Sequence, residues 1–259
     1  MIKALVAGGF IALATSLLGV VLVLKRYSMI GDGLSHVSFS AYTIALVFNF
    51  FPVFFSLPIV MVSACLLVWI SENSRIKGDA AIALISTSFL SIGVIVVSVT
   101  VGVNANVLSY MFGSVLSISN LDLVLSVVFS VCVVLLFLFF YNRLFAVIFD
   151  ESFAKAVGLK TKPYGFLVAV LVSASIVIGM KIVGALLISS LILFPALSSM
   201  RVFRTFKCVV LNSSLISVVC FVLGLIFSYC FSTPAGATIV LINLVFFLVY
   251  CIIGFFKCN

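Results

Sequence analysis

The chain has 259 residues, 65% of them hydrophobic and only 8% charged, with a mean hydropathy of +1.50. A soluble protein of this length could not bury so much apolar surface, so the composition excludes an ordinary soluble domain and indicates a protein embedded in lipid. The net charge of +8 comes from Lys and Arg residues in short connections between apolar segments. This pattern is typical of membrane orientation signals. It argues against nucleic-acid binding, for which a basic groove with interleaved aromatic residues would be expected.

Nine apolar segments, separated by charged residues or by Gly, Pro and Asn, are candidate membrane spans. A spanning helix takes about 20 residues, so a chain of this length has room for roughly eight to ten of them. We predict an all-α, polytopic transmembrane helical bundle of eight or nine spans that forms a single domain, residues 1–259. The segments cover residues 4–24, 30–50, 53–71, 80–100, 119–140, 164–180, 182–200, 209–230 and 236–256.

Two stretches differ from ordinary spans. The first apolar segment could be mistaken for a secretion signal, but it is too long, and Lys25 and Arg26 follow it without a small-x-small cleavage pattern. We therefore expect it to persist as the first span. The stretch 107–118 is too short to cross a bilayer, and we expect a surface helix or a re-entrant segment there.

The basic residues indicate which side each connection faces. If all nine segments cross and the first enters from outside, only Lys3 and Lys181 lie opposite the other twelve of the fourteen basic residues. The positive-inside rule then makes the richer side cytoplasmic. An arrangement of eight spans, with both termini on one side, stays open. The twelve residues are Lys25, Arg26, Arg75, Lys77, Arg143, Lys155, Lys160, Lys162, Arg201, Arg204, Lys207 and Lys257.

An acidic residue and the only histidine form the most informative pair. Asp32 and His36 are four positions apart, so on a helix they lie one above the other on the same face. A carboxylate and an imidazole so placed can offer an oxygen and a nitrogen to a zinc or manganese ion. Asp32 is about 9 Å along a helix from Arg26, which places it inside the span, where an ionisable residue is by default a functional candidate.

A purely structural role for this pair stays open from the spacing alone. Asp32 could cap the helix that begins near it, with His36 as a hydrogen-bonded packing residue. Two ligands are too few for a tight structural zinc site, which usually has four. They suit a weak, transient stop along a transport path, because an ion that is held tightly could not leave.

Several chemistries lack the residues that they need. The sequence has no G-x-x-x-x-G-K-[ST] loop for ATP, and a single histidine cannot supply a two-histidine zinc protease site. Ser35 and His36 do not make a hydrolase pair, because neighbours on a helix point about 100° apart. The seven cysteines show no C-x-x-C spacing, and we expect small buried hydrophobic residues. The chain is therefore predicted not to be an enzyme.

The long connection after the fifth apolar segment contains a short amphipathic helix pattern. It runs from Phe149 to Leu159, and Gly158 is expected to end the helix. Such a helix can provide a surface of the membrane domain to which a partner protein binds. It can equally lie at the lipid interface, and the pattern alone does not choose between the two.

Four stretches, taken in chain order, carry a family resemblance. The first contains a basic pair followed by G-D-x-x-S-H, and the second has the pattern F-D-x-x-F-A-x-x-x-G-L; two later stretches look like further signatures of the same family. With these motifs the chain resembles, along nearly its whole length, the permease subunits of the zinc/manganese class of ATP-binding-cassette importers. The stretches are residues 25–39, 149–159, 184–196 and 233–240.

The resemblance implies partners and roles for individual residues. It implies a type II-like importer permease that works as a homodimer, with cytoplasmic ATP-binding subunits and an extracytoplasmic metal-binding protein that delivers the ion. ATP is then hydrolysed on the partner subunit, no cofactor is bound permanently, and zinc or manganese is the cargo. Asp32 and His36 correspond to the metal-contacting pair. The coupling contacts to the ATPase correspond to Asp150, Glu151, Phe153, Ala154 and Gly158, within a coupling helix at about 150–158.

One departure from the family bears on ion preference. Small residues often follow the histidine in this family, whereas here Phe39 lies near the site. We predict a multi-pass permease of the plasma or inner membrane that imports a divalent transition metal, with zinc favoured over manganese or iron. The main alternative is a gradient-driven secondary transporter in which Asp32 and His36 relay protons. A permease for an organic chelate would instead have a wide pore that does not depend on this pair.

Overall fold

A computed structural model describes residues 2–73, 78–100 and 118–258. Within these ranges the regular secondary structure is entirely helical, as the apolar segments predicted. The helices are α1 (Ile2–Leu24), α2 (Ile30–Val47), α3 (Pro52–Asn73), α4 (Gly78–Val99), α5 (Asn120–Phe149), α6 (Glu151–Ala156), α7 (Thr161–Val183), α8 (Ala185–Val202), α9 (Phe206–Phe231) and α10 (Ala235–Cys258).

Each of the nine predicted apolar segments corresponds to one helix, but the helices differ in whether they are long and apolar enough to cross a membrane. Seven of them, α1, α3, α4, α5, α7, α9 and α10, are long and apolar enough to cross a membrane. The other two, α2 and α8, have 18 residues each, about 27 Å at 1.5 Å per residue. A count of eight or nine spans depends on α2 and α8 and remains a prediction. The stretch 107–118 lies, apart from its last residue, outside the described residues.

The first helix forms the centre of the bundle. It packs against α5, α7, α8 and α9, and 72% of its apolar window is buried, more than in the other candidate spans. Small residues make this possible, because the fully buried Ala7 and Ala12 let neighbouring backbones come close. The segment that resembled a secretion signal is thus an integral part of the packed core.

Helices α1 and α8 approach each other closely at Gly19. A Cβ atom built there would lie 1.9 Å from the backbone oxygen of Ile192, whereas one at Gly9 on the same helix would meet nothing within 4 Å. We expect Gly19→Ala to destabilise the protein by about 1–3 kcal/mol, because one backbone must move. Gly9→Ala is the matched control and should be neutral or slightly stabilising, since alanine favours the helix. Thermal unfolding in detergent measures both, and equal midpoints would contradict the close packing.

Contacts bring the basic connections together at one end of the bundle, here called the basic end. The hydroxyl of Tyr27, between α1 and α2, accepts a hydrogen bond from Ser71 Oγ near the end of α3 at 3.1 Å. Arg143 Nη1 of α5 donates to Tyr164 OH of α7 at 3.0 Å. Beyond α8, the ring of Phe203 has the ammonium group of Lys257 above it, 5.4 Å from its centre.

The other end of the bundle explains one of the two exceptions to the charge asymmetry. Lys181, in the last turn of α7, lies 2.6 Å from the carboxylate of Asp122, in the first turn of α5. The Asp122 side chain is 11% exposed, whereas that of Lys181 is 37% exposed. The charge of Lys181 at that end is therefore paired with a carboxylate of the neighbouring helix.

The cysteines only partly follow the expectation of burial. The six cysteines whose side chains are described are free thiols, and of these Cys220 is buried. The expectation was wrong for Cys132, Cys208 and Cys230, which are exposed on the outside of the bundle. A thiol behaves as a small hydrophobic group, so in a membrane protein an apolar segment predicts contact with lipid as readily as burial.

Candidate functional site

The helix that carries Asp32 and His36 lies inside the bundle although it is less apolar than its neighbours. It packs against α3, α4, α7 and α8, and most of its residues are buried. Two of its hydroxyl groups bond within the helix: Ser35 Oγ donates to the carbonyl of Gly31 at 2.7 Å, and Thr43 Oγ1 to that of Phe39 at 2.5 Å. Ser40 Oγ donates to the carbonyl of Phe89 on α4, whereas Ser38 Oγ is buried without a partner among the described residues. Bonds of this kind let most of the Ser and Thr residues of α2 lie inside an apolar bundle.

Two glycines flank Asp32 and fix the orientation of α2. A Cβ atom at Gly31 would lie 3.3 Å from the side chain of Ile192 on α8, and one at Gly33 would lie 2.5 Å from Ile82 on α4. Both neighbouring helices therefore press closely on α2 on either side of Asp32. The carboxylate is left on the remaining, uncovered face of the helix.

Asp32 and His36 share that face. The Nε2 atom of His36 lies 3.6 Å from Oδ2 of Asp32, and the two side chains are 31% and 52% exposed, respectively. This distance is too long for a hydrogen bond. The spacing predicted a shared face, and the structure adds that both groups are open rather than enclosed.

The structural alternatives do not fit this arrangement. The N-cap of α2 is Met29, and no side chain caps the helix, so the idea that Asp32 is the cap is wrong. His36 is not enclosed by packing either, since nearly a third of its side chain is exposed. Ser35 is only 2% exposed, and its hydroxyl donates to the carbonyl of Gly31. The hydroxyl is therefore not bonded to the neighbouring imidazole of His36, as expected for adjacent residues on a helix.

The pair can provide part of a metal site. Two ligands at 2.0–2.2 Å from a tetrahedral ion lie roughly 3.4 Å from each other, close to the observed 3.6 Å between the carboxylate oxygen and the ring nitrogen. Among the described residues no third His, Cys, Asp or Glu joins them. A single chain thus offers an open, two-ligand site.

Phe39 does not close this site. It is 6% exposed and belongs to a small apolar cluster with Tyr42 on the same helix, Met180 on α7 and Ala185 on α8. Phe39, which stands where the family often has a small residue, therefore fills the contact between α2, α7 and α8. It leaves the exposed face of Asp32 and His36 unchanged.

The predicted coupling segment forms a short, well-capped helix at the basic end. Asp150 is the N-cap of α6, and its Oδ1 atom accepts a hydrogen bond from the amide of Phe153 at 2.8 Å. Ala154 is fully buried. Gly158 has a φ of +86°, a left-handed conformation that favours glycine after a helix end. Of the predicted coupling residues, these three shape and seat the segment, and α6 begins at Glu151.

An apolar face projects outward from this segment. Phe153 is 61% exposed, Val157 64%, and Phe149, the last residue of α5, 57%. The family motif pointed only to Phe153 as a coupling contact within this trio. The spacing of four residues between Phe153 and Val157 was the signal that could have found Val157, because it places residues on one side of a helix. Phe149 precedes the break in the helix at Asp150, whose backbone is extended, and its ring contacts that of Phe206.

Comparisons with known proteins agree with these features. The model of the ABC 3 transport family matches residues 1–254. The chain is 29% identical to the manganese import system permease protein ScaB of Streptococcus gordonii, over 95% of this chain and 88% of that protein. It is 28% identical to the high-affinity zinc uptake system membrane protein ZnuB of Haemophilus influenzae, over 93% and 92%.

A solved structure shares the fold. PsaBC from Streptococcus pneumoniae in complex with Fab superposes with a TM-score of 0.85 and 28% identity, covering 96% of this chain and 89% of that one. The resemblance to permeases of the zinc/manganese class that the four motifs indicated is confirmed. The chain therefore belongs to the ABC 3 transport family and is a multi-pass membrane permease subunit, with ATP hydrolysis carried out by a separate ATPase.

Proposed function

We propose that this chain is the permease of an ATP-driven importer for a divalent transition metal ion, and that the ion pauses at Asp32 and His36. The observation that carries the proposal is the open pair of a carboxylate and an imidazole, 3.6 Å apart on one face of α2. These are ligands that zinc and manganese accept. Relatives named for manganese and for zinc import support the same class of cargo.

The site is completed by a second copy of the chain. Two ligands leave at least two positions of a four-coordinate ion unfilled, and both side chains are partly exposed in the single chain. In a symmetric dimer the same patch contributes twice, so an ion between two copies would meet four protein ligands. A conduit between the copies would then be lined by the uncovered face of α2, and α2 and α8 would cross the bilayer with the other seven helices.

We favour zinc over manganese or iron as the cargo, because a carboxylate and an imidazole are both common ligands of tetrahedral zinc. Octahedral, oxygen-rich coordination is the arrangement that manganese prefers.

The basic end is the cytoplasmic side, and α6 transmits the state of the ATPase from there. The exposed side chains of Phe153 on α6 and of Val157, which follows it, offer an apolar contact for an ATP-binding subunit. An extracytoplasmic metal-binding protein delivers the ion at the opposite end. Binding of nucleotide then favours one opening of the path and hydrolysis the other, which is alternating access by a shift of populations.

The energy source separates this proposal from a secondary transporter in which the same pair relays protons. We expect a tagged copy of the chain to copurify with an ATPase subunit, and uptake of radioactive zinc into cells to persist after a protonophore collapses the proton gradient as long as ATP is maintained. Depletion of ATP should stop it. Uptake that follows the proton gradient while ATP is held constant would replace the proposal with the secondary transporter.

A further inference from the structure

A groove on the outside of the bundle lies away from the helix that carries Asp32 and His36. It has a volume of about 560 Å³ and lies between α5 and α9, with Leu13 and Leu17 of α1 at its floor. The two helices pack on α1 and meet each other at the basic end, where the ring of Phe206 lies 5.2 Å from that of Tyr141 and 5.4 Å from that of Phe145. The groove is thus closed by aromatic rings at the basic end.

The lining of the groove changes from polar to apolar along its length. Lys207, Asn142 and Tyr141 line its basic end, whereas Leu211 and Phe137 are among the apolar residues further along. From Lys207 to Ser214, the last lining residue on α9, the groove follows that helix for about 10 Å. A molecule that fills it therefore needs a polar or anionic group at one end and a hydrocarbon chain at the other.

Lys207 lies at the level of lipid headgroups. It is the second residue of α9, a helix of 26 residues that is about 39 Å long and exceeds the hydrocarbon thickness of about 30 Å. The first turn of α9 therefore projects into the interfacial layer. Within the described residues no ion pair neutralises Lys207, so its charge is available to an anion.

Lipid is favoured over a second copy as the occupant. Asp32 and His36 lie on α2, which packs on α3, α4, α7 and α8, whereas the groove is formed by α1, α5 and α9. A second copy that completes the metal pair occupies the face of α2, so the groove belongs to a different face. Its rims also carry side chains suited to hydrocarbon, with Leu138 64% and Leu211 63% exposed.

We propose that this groove binds one anionic phospholipid of the cytoplasmic leaflet, with its phosphate on Lys207 and Asn142 and an acyl chain against Leu17, Phe137 and Leu211. Juxtamembrane basic residues attract anionic lipids, and pockets between helices on the cytoplasmic side can hold their headgroups. The bound lipid would bridge α5, which leads into α6, with α1 and α9. The inference concerns binding and does not depend on which ion is transported.

The test compares lipid retention by the full-length protein in detergent, with phosphatidylglycerol and phosphatidylcholine as probes in native mass spectrometry. We expect one phosphatidylglycerol per chain to be retained selectively, and Lys207→Gln to weaken its binding about fivefold, the scale of one basic residue near an anionic surface. Lys207→Arg should keep the binding. Lys162→Gln, at an exposed basic residue of the same end, is the matched control and should bind as the unchanged protein does.

A second variant tests the apolar part of the groove. Ser214→Phe fills the far end without changing any charge, and we expect it to reduce phosphatidylglycerol retention while Lys207 is intact. The proposal is overturned if Lys162→Gln and Lys207→Gln lose the lipid equally, or if phosphatidylcholine binds as tightly. It is also overturned if inorganic phosphate raises the unfolding midpoint as much as the lipid does, because the hydrocarbon groove would then contribute nothing.

Discussion

Replacing either His36 or Asp32 with alanine should reduce metal uptake to the level of cells that lack the permease. No third His, Cys, Asp or Glu joins the pair in the part of the chain that the structure describes, so one substitution removes half of the protein ligands from the proposed site between two copies. The two ligands that remain, one from each copy, are fewer than the three or four that hold zinc in proteins. The measurement is the initial rate of radioactive zinc uptake, normalised to the amount of permease in the membrane.

The chain offers a matched control for the loss of a carboxylate. Asp79 is an exposed acidic residue in the first turn of α4, as Asp32 is in the first turn of α2. Asp79→Asn should leave uptake nearly unchanged. Asp32→Asn should abolish uptake, although the substitution keeps the protein fold and the size of the side chain. Normal uptake by Asp32→Asn and His36→Ala would show that the ion does not pass this pair.

Phe153→Ser should disconnect the permease from its ATPase. The ring projects from α6 with 61% of its surface exposed, while the neighbouring Asp150 and Ala154 hold the helix in place. Large aromatic residues at the centre of an interface often contribute the most to binding, so we expect at least about tenfold weaker association and a matching loss of transport. Copurification of the ATPase with the tagged permease measures the first effect, and zinc uptake the second.

The control distinguishes a protein contact from a lipid contact. Phe256, near the end of α10, is 75% exposed and, by the packing of α10 against α8, belongs to the same end of the bundle. If α6 only rests at the lipid interface, Phe153→Ser and Phe256→Ser should change membrane insertion alike and leave the ATPase bound. A selective loss of the ATPase in Phe153→Ser supports the coupling role.

Helical spacing predicted the local features well. Four positions between Asp32 and His36 were enough to predict a shared face, and Gly158 was enough to predict the end of α6, because both follow from the geometry of a single helix. The family motifs added the class of transporter. What each segment contacts was not accessible from the same information.

The features that the sequence did not predict depend on long-range contacts. The partner of Lys181 is Asp122, 59 residues away in the sequence, and no local pattern joins them. Likewise, hydropathy cannot tell an apolar residue that faces lipid from one that faces another helix, which is why Cys132 and Cys230 were expected to be buried and are exposed. The openness of the metal pair also depends on where α4 and α8 lie, and therefore on the assembled bundle.

The contacts of Ile192 limit how the transport path can move. Its backbone oxygen lies against Gly19 of α1 and its side chain against Gly31 of α2. One residue of α8 is therefore closely packed against two other helices. Packed interfaces of this kind change between discrete arrangements and do not slide gradually. Helices α1, α2 and α8 are therefore expected to travel as one block that carries Asp32 with it, and the path would open and shut by a rocking of whole subunits against each other.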